Sequence, residues 1–424
     1  MSKATEAGLT PPPLRDDCFA LPAGVDWTPV DTALERLRVG LDRVVGQETL
    51  PLEAALGRVL AADVVALRAN PPEPNAAVDG YGFAFAALGE GDQTLPLIAG
   101  RAAAGVPLGH AVPEGSAVRI LTGAALPEGV DTVVLEEDVS ANAREIAFRA
   151  GVTPRANTRR AGEDVAAGDV ILRQGVRLGP AELALAAATG LGAVAVFERL
   201  RVGVLSTGDE LVEPGQAAGA GQIYDANRVM LLGLVGEMGF APVDLGRVAD
   251  SRADLRQRLD DAAGRVDVIL TSGGASNGEE DHMSALLREA GAMQTWRMAV
   301  KPGRPLALGL WGGRPVFGLP GNPVAALVCA LVFARPAMGV LAGRGWALPQ
   351  GYLLPAAFEK HKKAGRREYL RARVREGCVE VFASEGSGRI SGLSWAEGLV
   401  ELPDGALEVA RGDAVRFIPY ASFL

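Results

Sequence analysis

Apolar residues between Thr28 and about Leu67 fall at helical spacing. Leu34, Leu37 and Leu41 repeat along one face, and Leu52, Leu56, Val59 and Leu60 do the same, which predicts helix through this stretch. From about Phe83 to Asp169 the pattern becomes short apolar runs, Thr94–Ile98, Ser116–Thr122 and Asp131–Leu135, cut by Gly and Pro. These predict the strands of a small β-rich lobe. Pro180–Thr189 then reads as helix and Ala193–Val196 as strand. Residues 200–342 alternate most clearly. Strands are predicted at Arg201–Leu205, Val243–Val248, Val266–Leu270, Leu306–Leu310 and Val316–Gly318, with helices at Asn227–Met238, after Ser251, at His282–Ala290 and after Asn322-Pro323. Ser251 and Asn322 are placed as helix caps, and Pro323 suits a first helical turn. Strand–helix alternation predicts a doubly wound parallel α/β sheet. Residues 347–424 return to strand-like runs with turns at Asp404-Gly405 and Gly412-Asp413, as in a small β-barrel.

The expected organisation is a flexible tail at 1–27, an N-terminal and linker region at 28–199 carrying the β-rich lobe, an α/β domain at 200–345 and a C-terminal β domain at 346–424. The length of 424 residues agrees with several domains, at about 150 residues each. The 42 Lys+Arg against 51 Asp+Glu leave a net charge of −9, which argues against general nucleic-acid or anionic-membrane binding. Three cysteines (Cys18, Cys329, Cys378) and three histidines (His110, His282, His361) are scattered. They form neither a disulfide framework nor a zinc pattern, so any metal would sit on carboxylates. With no secretory signal core and no run of 18 apolar residues, the expectation is a cytoplasmic protein with no membrane and no nucleic-acid partner. The phosphate loop of ATPases, the dinucleotide-binding glycine pattern and the serine-hydrolase elbow are all missing.

Chemistry gathers where predicted strands end, because open α/β sheets bind ligands there. Thr271-Ser-Gly-Gly-Ala-Ser-Asn-Gly-Glu-Glu-Asp281 feeds a helix start, whose N–H groups suit an anion. The alternative is a tight connection with no ligand. Ser206-Thr-Gly-Asp-Glu210 offers hydroxyls and acids after another strand, or is a solvated turn. Arg297 and Lys301 share a strand face and suit oxyanion recognition. Leu319-Pro-Gly-Asn-Pro323 makes a good helix start with or without a ligand. Asp79 sits beside a glycine turn, and Asn157–Asp164 packs arginines with acids. Lys360–Arg375 holds eight Lys/Arg and one acid, +7 in a chain that is otherwise −16. Within it Arg371, Arg373 and Arg375 alternate with apolar residues, predicting a cationic strand face for an anion or an acidic partner, or a charge-protected edge.

In this order, these segments resemble the molybdopterin molybdenumtransferase (MoeA) family, to which the E domain of gephyrin is similar. The resemblance rests on Val-Asp-Gly-Tyr (78–81), Arg-Ile-Leu-Thr-Gly-Ala (119–124), Asn-Thr-Arg-Arg-Ala-Gly-Glu-Asp (157–164), Ser-Thr-Gly-Asp-Glu-Leu (206–211) and Ile-Tyr-Asp-Ala-Asn-Arg (223–228). It continues through the 271–281 segment, Lys-Pro-Gly-Arg-Pro (301–305), Gly-Leu-Pro-Gly-Asn-Pro-Val (318–324), Gly-Arg-Arg-Glu-Tyr-Leu-Arg (365–371) and Gly-Ser (386–387). It implies an elongated homodimer of four-domain chains. The implied reaction inserts molybdate into adenylylated molybdopterin, with Mg²⁺-dependent phosphoanhydride cleavage and release of AMP. It also implies transient contact with the molybdopterin adenylyltransferase and with downstream cofactor-handling proteins.

Carried over residue by residue, the resemblance implies Asp79, Asp164, Glu210, Asp250 and Asp281 as catalytic acids. Of these Asp79, Asp250 and Asp281 divide metal binding and water positioning. The implied substrate contacts are Thr122, Arg159, Arg297, Lys301, Pro320, Pro323, Arg366 and Ser387, with backbone N–H groups of Ser272, Gly273 and Gly274 and of Ser276 to Gly278 around a phosphate. The chain departs from the family pattern at Ala76 (serine), Val78 (methionine) and Gly82 (alanine). Arg297 stands where many members have lysine, and Glu385 where glutamine is common. Two rival readings are an adenylyltransferase sharing the α/β domain and a non-catalytic gephyrin-like scaffold. Tungstate in place of molybdate is not decided by any residue.

Overall fold

A computed structural model describes residues 27–273, 282–290, 293–303 and 305–424, with the backbone alone at 293–297 and 305. The expected tail therefore lies outside the described residues apart from Trp27. The chain divides into two compact units, one holding Val45–Glu198 and the other joining the segment that ends at Val44 to Arg199–Leu424.

In the first unit, Gln47–Pro51 pairs antiparallel with Ala193–Phe197. The helix expected through Leu52–Leu60 is not formed. Only a 3₁₀ turn at Leu52–Ala54 is present, Gly57 turns the chain at φ 74°, and Leu60 bridges Val196 in extended backbone. Leu60 packs with Val194, Val196 and Leu178 in one core. Leu60 is satisfied by burial against strands while Leu56 stays 54% exposed, so tertiary packing overrode the helical period. The β-rich lobe is a six-stranded sheet in the order Thr132–Leu135, Gly80–Phe83, Ala117–Ile120, Gln93–Ala102, Glu145–Phe148, Val139–Ala141. Phe83 and Phe148 stack inside it with ring centroids 5.1 Å apart, an offset geometry that adds to simple area burial.

In the second unit, helix Val30–Gly40 buries Val30, Ala33 and Leu37, a single stripe at helical spacing. The central sheet runs Ala241–Val248, Arg201–Thr207, Val268–Ser272, Arg314–Leu319, Pro305–Trp311, Met293–Arg297. Its first four strands are parallel; the last two are antiparallel. The expected doubly wound parallel sheet is therefore present, and it is mixed at one edge. The connection Gly312-Gly313, with φ 54° and 76°, is a two-residue hairpin turn, and such a turn joins only antiparallel strands. Helices Arg252–Ala263 and His282–Glu289 share a core with Leu205, Ile269 and Val316. Ser251 caps the first of them, accepting from the Asp254 amide at 3.4 Å.

Pro323–Leu341 is one continuous helical rod, long and apolar enough to cross a bilayer, but 94% of it is buried inside the protein. It is a core helix. Its middle turn, Ala330–Ala334, is a π-helical widening just before Pro336, a residue with no amide to donate. The C-terminal residues form a sheet in the order Arg367–Arg375, Gly398–Leu402, Ala414–Pro419, Tyr352–Pro355. Its edge is extended by Val300–Lys301, which pairs parallel with Arg367 and Glu368. The loop leaving the α/β sheet is thus a strand of the β domain, and it carries Lys301 into it.

Candidate functional site

Strand ends Arg201–Thr207 and Val268–Ser272 lie side by side, with Ser206 in register with Ser272. The chain turns after Ser272 at Gly273, whose φ is 90°; a Cβ there would meet the Thr207 carbonyl oxygen at 2.3 Å. Only glycine fits so close an approach. Asn227, in the first turn of helix Ala226–Glu237, ties two loops to this point. Its Nδ2 donates to Ser272 Oγ and to the Gly321 carbonyl, each at 2.7 Å. Beneath it, Asp225 accepts from Ser206 Oγ at 3.0 Å and from Arg228, which also reaches Asp244 at 2.6 Å and Glu213. Burial works against the Asp244 carboxylate, but the Arg228 and Gly246 hydrogen bonds hold its pKa below the ordinary range.

Three buried polar atoms here, Thr207 Oγ1, Thr271 Oγ1 and Asn227 Oδ1, have no hydrogen-bond partner. Buried polar groups are almost always paired, so unpaired ones collected at the carboxyl end of a parallel sheet mark a place built for a polar guest. The loops above it carry acids. Asp209 and Asp250 exchange amide-to-carboxylate hydrogen bonds, while Glu210 is exposed next to them and its carbonyl accepts from Ile223 at 2.8 Å.

Across the helix start at Pro323, the expected Asn322 side-chain cap is absent. The Val324 amide donates instead to the Ser387 carbonyl at 3.1 Å, so Ser387 reaches the Pro320–Pro323 loop through its backbone. The loop holding Ser387 is fixed by Arg371. Its guanidinium donates to the carbonyls of Arg389 (2.5 Å), Gly386 (3.2 Å) and Ser384, and lies over the Phe382 ring. Arg373 pairs with Glu380 and Arg375 with Glu397. The cationic strand face expected from this alternation is therefore matched within the chain and is not an open basic surface. Lys301 and Lys360 meet Glu385 and Glu368 beside this loop. Burial raises the Glu385 carboxyl, but hydrogen bonds from Lys301 and Lys360 outweigh it and hold the pKa low. Arg366 stands in the turn before Arg367–Arg375, half-buried.

In the other unit, Asp79 Oδ1 accepts from Thr122 twice, from the hydroxyl at 2.6 Å and the amide at 2.7 Å. Those bonds, led by the hydroxyl and helped by the charge of Arg119, depress its pKa. Arg159 lies in a strand pair opposite Asn75. Asp164 accepts from Asn70 Nδ2 at 3.0 Å and its amide donates to the Asn70 carbonyl, an arrangement that pins one loop to another. Asp79, Thr122, Arg159 and Asp164 thus lie on or beside one segment, 70–79.

Gly274, Ser276, Gly278 and Asp281 lie outside the described residues, and Arg297 is described by its backbone only, opposite Pro305. Among the described residues no cluster of three or more His, Cys, Asp or Glu side chains forms a metal site. Of the metal trio expected from the sequence, Asp250 is paired with Asp209, Asp79 stands in the other unit with Thr122, and Asp281 lies outside the described residues. Asp209 and Asn227 stand inside the motifs at 206–211 and 223–228 and Lys360 inside the basic run at 360–375, and the sequence alone singles out none of the three.

Comparison with known proteins places the chain in a family. Residues 28–190 match the family described as MoeA N-terminal region (domain I and II), residues 203–339 the "Probable molybdopterin binding domain", and residues 354–420 the MoeA C-terminal region (domain IV). The chain belongs to the MoeA family. A relative named molybdopterin molybdenumtransferase, from Haemophilus influenzae, is 36% identical over 403 residues, covering 93% of this chain and 99% of the relative. Molybdopterin molybdenumtransferase 2 of Mycobacterium tuberculosis is 35% identical and covers 86% and 93%. The crystal structure of a MoeA protein from Pyrococcus horikoshii superposes with TM-score 0.82 at 28% identity, over 93% of this chain and all of that one. The architecture is that of MoeA proteins: N-terminal domains, a central α/β domain with a mixed sheet, and a C-terminal β domain.

Proposed function

We propose that this chain inserts molybdenum into the molybdenum cofactor, acting on adenylylated molybdopterin and molybdate with cleavage of the phosphoanhydride and release of AMP. The observation that carries this reading is full-length similarity to relatives named for that transfer. The local chemistry supports it. Unpaired buried oxygens at Thr207, Thr271 and Asn227 offer hydrogen-bonding capacity to a polar pterin or phosphate. Lys301 and, on the family pattern, Arg297, Arg366 and Ser387 would hold anionic groups.

Asp209 and Asp250 fit Mg²⁺ in kind. Each spends one carboxylate oxygen on the other's amide and keeps a second, hard oxygen. Mg²⁺ is commonly held by one or two carboxylates together with substrate phosphates, so the lack of a larger acid cluster is no obstacle. When bound, the ion neutralises phosphate charge and polarises the bridging oxygen. Asp250 and Asp209 would hold it, with Asp281 on the family pattern. Asp79, kept ionised by Thr122, is suited to orient a water or a polar substrate group. The active form in this proposal is a cytoplasmic homodimer that receives its substrate from the adenylyltransferase and passes its product to cofactor-handling proteins.

The test is incubation of the full chain with adenylylated molybdopterin, Mg²⁺ and micromolar molybdate. Stoichiometric AMP and molybdenum-loaded pterin are expected. Turnover of molybdopterin with ATP alone would establish adenylyl transfer instead, and neither product would leave a scaffold. Light scattering that reports a monomer at working concentration would remove the dimer.

A further inference from the structure

Four charged side chains converge beside a cavity of about 190 Å³ lined by Lys301, Lys360, Arg371, Phe382, Ser384 and Glu385. Lys301 Nζ donates to Glu385 Oε2 at 2.7 Å, and Lys360 Nζ to Glu385 Oε1 at 2.5 Å. The same ammonium groups stand 3.6 and 3.3 Å from Glu368 Oε2. Each Glu385 oxygen therefore takes one lysine, and the group sits between two cations as a small anion would.

The two acids are not equivalent. Glu368 lies on a central strand with its side chain 8% exposed, whereas that of Glu385 is 46% exposed. Glu385 stands on a loop anchored by the Arg371 contacts to backbone carbonyls on either side of it, so the loop does not depend on the Glu385 carboxylate for its position. Glu368 is a fixed counter-charge. Glu385 has a path to water, where a carboxylate recovers full solvation. With both acids in place the formal charges of the quartet cancel; with Glu385 turned out, one net positive charge faces the cavity.

We propose that Glu385 is a resident anion that sets the affinity of the Lys301–Lys360 pair, and that an incoming oxyanion binds there by displacing it. This rests on reading Lys301 as an anion contact in the proposed reaction. Displacement replaces one negative charge with a ligand carrying two, so oxyanion dianions compete successfully where chloride and other weakly held monoanions do not. The arrangement admits the substrate at the expense of raw affinity.

The test measures binding of molybdate, tungstate and sulfate, each alone and without pterin, by calorimetry on the full-length chain. Glu385→Gln removes the charge and keeps the shape. All three dianions are expected to bind it more tightly, by a common factor of about five or more, since the same internal competitor is lost in each case. Glu385→Ala serves if the glutamine variant melts early, and the same tightening is expected. Unchanged or weaker binding in both variants overturns the proposal and makes Glu385 a structural tie, and so does tightening confined to one oxyanion. The assay needs no turnover. Dianion tightening in a chain that releases no AMP would sink the insertion reading while leaving this one standing.

Discussion

Asp209 and Asp250 grip each other across two loops: the Asp209 amide donates to Asp250 Oδ2 at 3.3 Å, and the Asp250 amide donates to Asp209 Oδ1 at 3.0 Å. The loops follow neighbouring parallel strands, Arg201–Thr207 and Ala241–Val248, so the pair holds two strand ends at one height and turns two carboxylates towards the same space. Two like charges this close gain from a cation between them. Asp250→Asn keeps an oxygen for the Asp209 amide and removes only charge. The Mg²⁺ concentration for half-maximal AMP release should rise about tenfold or more, while the melting temperature changes little, because such surface changes cost within about 0.5 kcal/mol. A metal titration run beside a thermal melt checks this, and an unchanged Mg²⁺ requirement would remove Asp250 from metal binding.

Asp79 gives a pH signature. Its folded pKa is depressed by the Thr122 hydroxyl, the Thr122 amide and Arg119. A depressed carboxyl adds stability above its unfolded pKa of about 3.9 and loses it as pH falls through the folded value. Thr122→Val removes the leading cause, so the Asp79 carboxyl should titrate closer to its ordinary value. The melting-temperature gap between wild type and variant should be open at neutral pH and close as the solution is taken below the unfolded pKa. Carboxyl NMR of Asp79 with melts at several pH values measures both. A gap that persists unchanged to low pH would assign the Thr122 effect to packing.

The parts legible in the sequence were those fixed by local chemistry. Ser251 was readable as a cap because its side chain meets an amide three residues on, and the strands Arg201–Thr207, Val268–Ser272 and Arg314–Leu319 were readable from their apolar runs. Leu52–Leu60 misled because Leu60 reaches its partner Val196 far along the chain, and periodicity carries no record of such pairing. The antiparallel pairing of Pro305–Trp311 with Arg314–Leu319 has its sequence signal in the two-residue turn Gly312-Gly313. Within the site, motif residues such as Ser272, Gly273 and Asp250 fell where strands end. Asn227 and Lys360 needed the fold, because their partners Gly321 and Glu385 lie on other elements. The arginine alternation at 371–375 was read correctly as a strand face but not as a matched one, since Glu380, Glu397 and the carbonyls of 384–389 are brought to it only by folding.

Arg371 anchors that loop through planar, multidentate bonds to three carbonyls. Lysine keeps the charge but has a single ammonium and cannot reproduce the fork. Arg371→Lys should therefore cost about 1–3 kcal/mol, from carbonyls left short of a donor. Because the same loop carries Glu385 and Ser387, the KM for molybdate should change by a larger factor than kcat. Urea unfolding and steady-state kinetics test the two halves, and limited proteolysis should cut the variant first between residues 384 and 390. Kinetics unaltered in a destabilised variant would show that the loop's position does not matter for turnover.

Asn227 offers the sharpest separation of a structural from a binding role. Its Nδ2 serves Ser272 and Gly321 while its Oδ1, buried with the rest of a 9% exposed residue, has no partner. Asn227→Ala leaves the Gly321 carbonyl and the Ser272 hydroxyl without their donor, at a cost of about 1–3 kcal/mol. If the orphan oxygen is reserved for a donor on the pterin or its phosphate-bearing chain, the wild-type protein gains a bond on binding that the variant cannot make. The ligand-induced rise in melting temperature should then shrink in the variant, beyond the fall in its ligand-free melting point, since stabilisation by a bound ligand follows its affinity. Ser272→Ala provides the control, because it removes one of the two structural bonds while leaving Oδ1 in place. It should lower the melting point of the free protein and spare most of the ligand-induced rise. Equal loss of that rise in both variants would mean that Asn227 acts only by holding the loops.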